Sequence, residues 1–202
     1  MKITLLDKIK DVNNIIIFTA SHSSYSDAVL NYLDPEDKYF HYRLYRDSCV
    51  QYKTNDINFY VKDLDIFKDF YDLKDIIIID NYYEYLDLCL ETLQDINLKE
   101  VPKSKAKINF KFPKEKQNKK IALFDLDETL VHCIGEIKKE EDNNQEFESA
   151  HKINVILPSK KETTIAINIR PHLKELSYCS LFIFYIKNGI SKYLKTLILI
   201  NI

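Results

Sequence analysis

Glycine is nearly missing from this chain: its 202 residues include two, Gly135 and Gly189. A loop that cradles phosphate on backbone N–H groups needs several glycines in close succession, so that class of nucleotide site is excluded. Tryptophan is absent. Four cysteines (Cys49, Cys89, Cys133, Cys179) stand singly, and the five histidines show no ligand spacing. This excludes a metal cage built from closely spaced Cys and His and reads as reduced thiols of an intracellular protein, nuclear or cytoplasmic. Neither sign of charge dominates, with 29 Lys and Arg against 31 Asp and Glu. A net charge of −2 gives no general pull toward nucleic acid or an anionic membrane. The most apolar stretch, "SLFIFYIKNGISKYLKTLILINI" (180–202), is broken by lysines and a glycine and makes a poor membrane span. The opening "KITLLDKIKDVNN" carries charges every few residues, unlike a secretory leader.

What the chain does have is short β-branched runs that alternate with helix-like segments. "NIIIFTAS" (14–21) reads as a buried strand that ends in small polar residues, and "LKDIIIIDN" (73–81) repeats that design. Between them, "SYSDAVLNYLDP" places Ala28, Val29, Tyr32 and Leu33 at helical spacing with Pro35 as a stop. "YFHYRLYRDSCV" (39–50) alternates like a strand that runs into a loop, and "YEYLDLCLETL" (83–93) reads as a helix. Residues 98–118 lie in a lysine-rich, proline-containing stretch that reads as a linker. Beyond it come "IALFDLDETLVHC" (121–133), an acidic insert, two strand-like runs ("INVILP" and "TTIAINI") joined by "SKKE" as in a hairpin, and "RPHLKEL" (170–176) as a helix start. Strands that feed helices, each buried run almost wholly apolar, predict an α/β fold around a parallel sheet covered on both faces.

In such sheets the binding crevice lies at the carboxyl ends of the strands. Three apolar runs end there in polar groups: Thr19, the pair Asp80 and Asn81, and Asp125 with Asp127. If the three strands are parallel neighbours, these groups converge and their carboxylates repel one another. A hard cation such as Mg²⁺, which takes oxygen ligands and a substrate phosphate, is the natural compensation. The expected order places the 121–124 strand between the 15–18 and 76–79 strands.

At these residues the chain resembles a known family. "DLDETL" resembles the signature of the haloacid dehalogenase superfamily. With "IIIFTAS", "YSDAVLNYLDP", "RLYRDSCV", "VKDL", "IIIIDN" and "RPHLKEL", the chain is similar to the small Ser/Thr phosphatases of the RNA polymerase II C-terminal domain. The resemblance implies a haloacid dehalogenase-like (Rossmann-like) fold and a Mg²⁺-dependent phosphatase acting on phosphoserine or phosphothreonine in proteins. It casts Asp125 as the nucleophile and Asp127 as the general acid and base. Thr19 and Lys62 would hold the phosphoryl group, Arg46 would lie near the substrate groove, and Thr129 would support the nucleophile loop. Asn81, Asp125 and the backbone carbonyl of Asp127 would hold the metal, with Asp80 beside them. No direct nucleic-acid or membrane partner is implied. Tyr82-Tyr83 departs from the Ser-Pro that usually follows "DN", and the stretch between Arg46 and Lys62 is longer than usual and lacks a glycine.

The motif order is inverted: in the family "DLDET" and "RPH" come before "FTAS", "VKDL" and "DN". Residues 1–97 thus read as the second half of a phosphatase domain, 98–118 as the linker, 119–179 as the first half, and 180–202 as an unassigned tail. A circularly permuted domain and a fragment of a tandem protein both account for this order. The tail is expected to add no functional group, since no Thr, Ser or Asp stands where a strand end would present it. A catalytically silent phosphopeptide-binding protein and a small-molecule phosphatase are the alternative functions on the same fold.

Overall fold

Stiff β-branched side chains favour extended backbone, and two isoleucine runs with the apolar run Ile121–Phe124 between them form the centre of the molecule. The computed structural model describes residues 4–53, 58–80, 106, 119–137, 150–170, 183–185 and 196–198. Its regular elements run α1 (Thr4–Ile9), β1 (Asn13–Phe18), α2 (Ser23–Leu33), β2 (Phe40–Leu44), β3 (Val50–Lys53), β4 (Asn58–Asp63) and β5 (Ile76–Ile79). After these come β6 (Lys120–Phe124), β7 (Val131–Glu136), β8 (His151–Ile156), β9 (Glu162–Ile169), β10 (Ile183–Tyr185) and β11 (Thr196–Ile198). The helices expected at 83–93 and from Pro171 onward lie outside the described residues.

The main sheet has the order β10-β5-β6-β1-β2. Strands β5, β6, β1 and β2 are parallel neighbours, with Leu123 of β6 opposite both Ile16 and Ile78. The expected central place of β6 is therefore observed, and the fold is the α/β, parallel-sheet class anticipated. Side chains alternate across the sheet, so Ile15, Ile17, Ala122, Phe124 and Ile79 enter one core with Leu6 of α1, Val29, Leu30 and Leu33 of α2, and Ile153 and Ile165 of the β8–β9 hairpin. Ile16, Phe18, Ile76, Ile78, Ile121 and Leu123 enter a second core with Leu64, Phe67, Tyr71 and Cys49. Burial on both faces is why these runs are apolar without interruption.

Helix α2 ends at Leu33, with Asp34 as its C-cap just before the expected Pro35 stop. Its buried face is Ser26, Val29, Leu30 and Leu33; Tyr32, grouped with that face by spacing, is instead 41% exposed. The Tyr32 hydroxyl meets His151 Nδ1 at 2.7 Å, tying α2 to the start of β8. The buried Asp34 carboxylate accepts from the backbone N–H groups of Lys38 (2.8 Å), Tyr39 (2.8 Å) and Phe40 (3.3 Å), which fixes the entry into β2.

Two smaller antiparallel sheets flank this frame, β11-β4-β3 and β7-β9-β8. The expected hairpin is β8–β9, with Lys160 at φ 63° in its turn. Gly135, at φ 151°, sits where β7 shifts register against β9, a backbone setting that L side chains rarely adopt. Strand β10 lies antiparallel along β5, and β11 antiparallel along β4. Both strands are three residues long, too short to show a period in sequence.

Candidate active site

The carboxyl ends of β5, β6 and β1 are tied together through backbone hydrogen bonds. Asp125 N–H donates to Ile79 O (3.1 Å), which sets the end of β6 against the end of β5 and brings Asp125 beside Asp80. Thr19 N–H donates to Leu44 O (3.0 Å), joining the ends of β1 and β2. Beyond Asp125 the chain makes a tight loop: Leu130 N–H reaches Leu126 O (2.8 Å) and Glu128 N–H reaches Val131 O (2.7 Å), with Glu128 at φ 59°. A left-handed non-glycine residue costs about 1–2 kcal/mol, and the loop holds it there with these bonds. The turn lets Asp125 and Asp127, on either side of the buried Leu126, face one site. Thr129 is buried within the same loop.

Lys62 reaches this site from β4. Its ammonium donates to Asp125 Oδ1 at 2.5 Å and to Asp80 Oδ2 at 3.4 Å. The three side chains are 4%, 10% and 6% exposed, so the charges interact through little water. Burial works against the Lys62 ammonium, yet Asp125 and Asp80 outweigh it and its pKa is raised. Burial, and then the Asp80 and Asp127 charges, push the Asp125 carboxyl up to about 7 despite the opposing pull of Lys62. Two buried carboxylates, Asp125 and Asp80, share the one ammonium of Lys62.

Asp127 is held by hydroxyls. Its Oδ2 accepts from Ser21 Oγ (2.5 Å) and Thr19 Oγ1 (3.3 Å), and its Oδ1 accepts from the Tyr25 phenol (2.8 Å). Burial first, then the Asp127 charge, raises the Tyr25 phenol well above its ordinary range, so it remains a proton-bearing donor. Thr19 Oγ1 also accepts from Ser21 N–H at 3.1 Å. Its own proton makes the longest of the three bonds to Asp127.

The geometry thus brings together Asp80, Asp125, Lys62, Thr19 and Asp127, all singled out by sequence. Arg46 stands at the rim: its Nε donates to Ala20 O (2.7 Å), its guanidinium lies 5.0 Å from the centre of the Tyr60 ring, and its N–H bonds Ser21 O (3.0 Å). Asn81 lies outside the described residues. Ser21 and Tyr25 were not anticipated as site residues. The signal for them was the "FTAS" run and the first turn of α2, where a residue six positions after Thr19 can face back over the strand end.

Among the described residues no three His, Cys, Asp or Glu side chains converge as a ready metal cage. The donors around Asp125 are oxygens in excess of positive charge. That suits Mg²⁺, which is commonly held by one or two carboxylates and waters rather than an all-protein cage.

Comparison with known proteins gives a family. The model of the NLI interacting factor-like phosphatase family matches residues 3–97 and 120–194, most of the chain. Among relatives, the chain is 47% identical over 76 residues to "CTD small phosphatase-like protein 2" of Dictyostelium discoideum, covering 38% of this chain and 12% of that protein. It is 48% identical over 67 residues to a "Probable C-terminal domain small phosphatase" of the same organism, covering 33% and 20%. "Phosphatase Herzog" of Drosophila melanogaster is 40% identical over 76 residues, covering 38% and 20%. The matched stretches thus span only 12% to 20% of these relatives' length. No solved structure matches the chain.

Proposed function

The chain belongs to the NLI interacting factor-like phosphatase family, and from that premise we propose that it is an intracellular, nuclear or cytoplasmic, Mg²⁺-dependent phosphatase of phosphoserine and phosphothreonine in proteins, working through an aspartyl-phosphate. The observation that carries this reading is the Asp125–Lys62 contact at 2.5 Å beside an Asp127 aligned by three hydroxyls. Lys62 neutralises charge that builds on the phosphoryl oxygens and orients Asp125 for attack. Asp125 forms the new P–O bond as the P–O bond to the serine or threonine oxygen breaks, and Asp127 gives that oxygen a proton. In the second step Asp127 takes a proton from water, whose oxygen attacks the aspartyl-phosphate, releasing inorganic phosphate and restoring Asp125. Thr19 binds a phosphoryl oxygen, Thr129 supports the loop that presents Asp125, and Arg46 faces the incoming peptide.

Asp125, Asn81 and the Asp127 carbonyl, with Asp80 beside them, would hold Mg²⁺, which supplies neutralisation of the phosphoryl charge. The resemblance carried by the sequence motifs makes the C-terminal domain of RNA polymerase II the phosphoprotein to try first.

The test is turnover of a phosphoserine peptide by the purified chain with Mg²⁺ and with chelator, trapping protein-bound phosphate that hydroxylamine releases. Metal-dependent turnover with phosphate on Asp125 supports the reading. Tight phosphopeptide binding without turnover would replace it with a binding protein.

A further inference from the structure

Asp127 has two carboxylate oxygens in unequal settings. Oδ2 accepts two hydroxyl bonds, from Ser21 and Thr19, and so has both lone pairs engaged. Oδ1 accepts, among the described residues, from the Tyr25 phenol alone and keeps one lone pair open. Tyr25 is anchored in the first turn of α2 and packs against the core beneath that helix, so its hydroxyl is a fixed point.

We infer that Tyr25, seconded by Ser21, is a positioning residue that holds the Asp127 carboxyl in one orientation toward the substrate's leaving oxygen. The inference rests on the phosphatase reading above and adds to it the group that orients the acid. Once Thr19 turns to the phosphoryl group, Ser21 on Oδ2 and Tyr25 on Oδ1 still hold the carboxyl from both sides, and rotation about its Cβ–Cγ bond breaks both bonds at once. In the first chemical step the proton that Asp127 donates passes to the serine oxygen as the bond to phosphorus breaks, and Asp127 is left as a carboxylate that keeps its bond from Tyr25.

Position matters for proton transfer in proportion to how much the leaving oxygen needs a proton. A serine alkoxide needs one; an aryl oxide hardly does. Tyr25→Phe keeps the ring and its packing and deletes the oxygen. The experiment is rapid-mixing measurement of phospho-enzyme formation by the full chain with Mg²⁺, using a phosphoserine peptide and an aryl phosphate. The expected result is that Tyr25→Phe slows the first step on the peptide about tenfold, the size of one well-made hydrogen bond. The half-saturating peptide concentration and the aryl phosphate rate should stay within about twofold. Ser21→Ala should show the same split, and in an Asp127→Asn background Tyr25→Phe should have no further effect on the peptide. Equal slowing on both substrates, no slowing on the peptide, or an additive loss in the Asp127→Asn background overturns the positioning role and leaves the phosphatase reading standing. A wild type that forms no phospho-enzyme on either substrate overturns both.

Discussion

Asp125 is the residue whose chemistry and titration test each other most directly. Asn at this position cannot attack phosphorus, so Asp125→Asn should abolish turnover and hydroxylamine-labile phosphate together. On the proposed mechanism Asp127→Asn keeps the nucleophile and loses the proton donor and base, which commonly contribute about 10²–10⁴-fold, and the loss should be smaller on an aryl phosphate. The Asp125 carboxyl is raised from 3.8 to about 7 by burial and neighbouring carboxylates. A folded-state value above the unfolded one means that the native chain keeps a proton the unfolded chain has lost between about pH 4 and pH 7. Unfolding free energy in chelator should therefore fall as pH rises through that window, which urea titrations at pH 5 and 7.5 will read. Asp125→Asn should flatten the slope, and so should added Mg²⁺, because a cation beside the carboxylate favours its charged form. A stability that instead climbs through this window in the wild type and not in Asp125→Asn would show that Lys62 outweighs burial. Replacing Lys62 by Met strands Asp125 and Asp80 without a counter-charge; removing one partner of a buried pair costs about 3–5 kcal/mol, measurable by the same titration at neutral pH.

Among the elements, the join between α2 and β2 depends on one side chain. The Asp34 carboxylate is 2% exposed and receives three backbone N–H groups, and hydrogen bonds to a charged acceptor are worth about 1.5–3 kcal/mol each before compensation. Asp34→Ala leaves these donors buried without that acceptor and should cost about 3 kcal/mol in thermal or urea unfolding, while Asp34→Asn should recover part of it. The central strands call for a different argument, because their stabilisation is volume rather than polarity. Ile16 is fully buried in the second core, so Ile16→Ala should cost about 2–5 kcal/mol. The isoleucine runs made these strands legible in the sequence: each is apolar at every position, as a strand buried on both faces must be. The buried face of α2 was only half legible. Val29 and Leu33 are on it as expected, whereas Ser26, a polar residue, also lies there and Tyr32 turns outward toward His151. A single aromatic at helical spacing does not reveal which flank of the stripe faces the sheet.

For the whole molecule, one sheet takes strands from both sides of the 98–118 segment, with β6 inserted between β5 and β1. The site is correspondingly shared: Thr19, Lys62 and Asp80 come from before that segment, Asp125 and Asp127 from after it. That convergence was legible because chemistry concentrates at strand ends in a parallel sheet, so Thr19, Asp80 and Asp125 marked their own positions. The hydroxyls of Ser21 and Tyr25 were not, since a serine in a loop and a tyrosine in a first helical turn are common in any fold and only the closed geometry turns them onto Asp127. The short strands of the tail carry the prediction at this scale. Strand β10 covers the outer edge of β5, and β11 pairs along β4 with Leu197 opposite Lys62. No Thr, Ser or Asp of the tail stands where the sequence would present it at a strand end, so deletion of residues 180–202 should leave Mg²⁺ affinity unchanged when read by calorimetry on the folded protein. It should also uncover two strand edges whose free N–H and C=O groups template pairing with another chain. The truncated chain should therefore unfold at lower urea and associate as its concentration rises, seen as growing light scattering under conditions where the full chain stays unchanged. A truncated chain that is folded and monomeric yet has lost Mg²⁺ would mean that the tail supplies part of the site after all. A truncation with unaltered stability would mean that β10 and β11 cover no edge that matters.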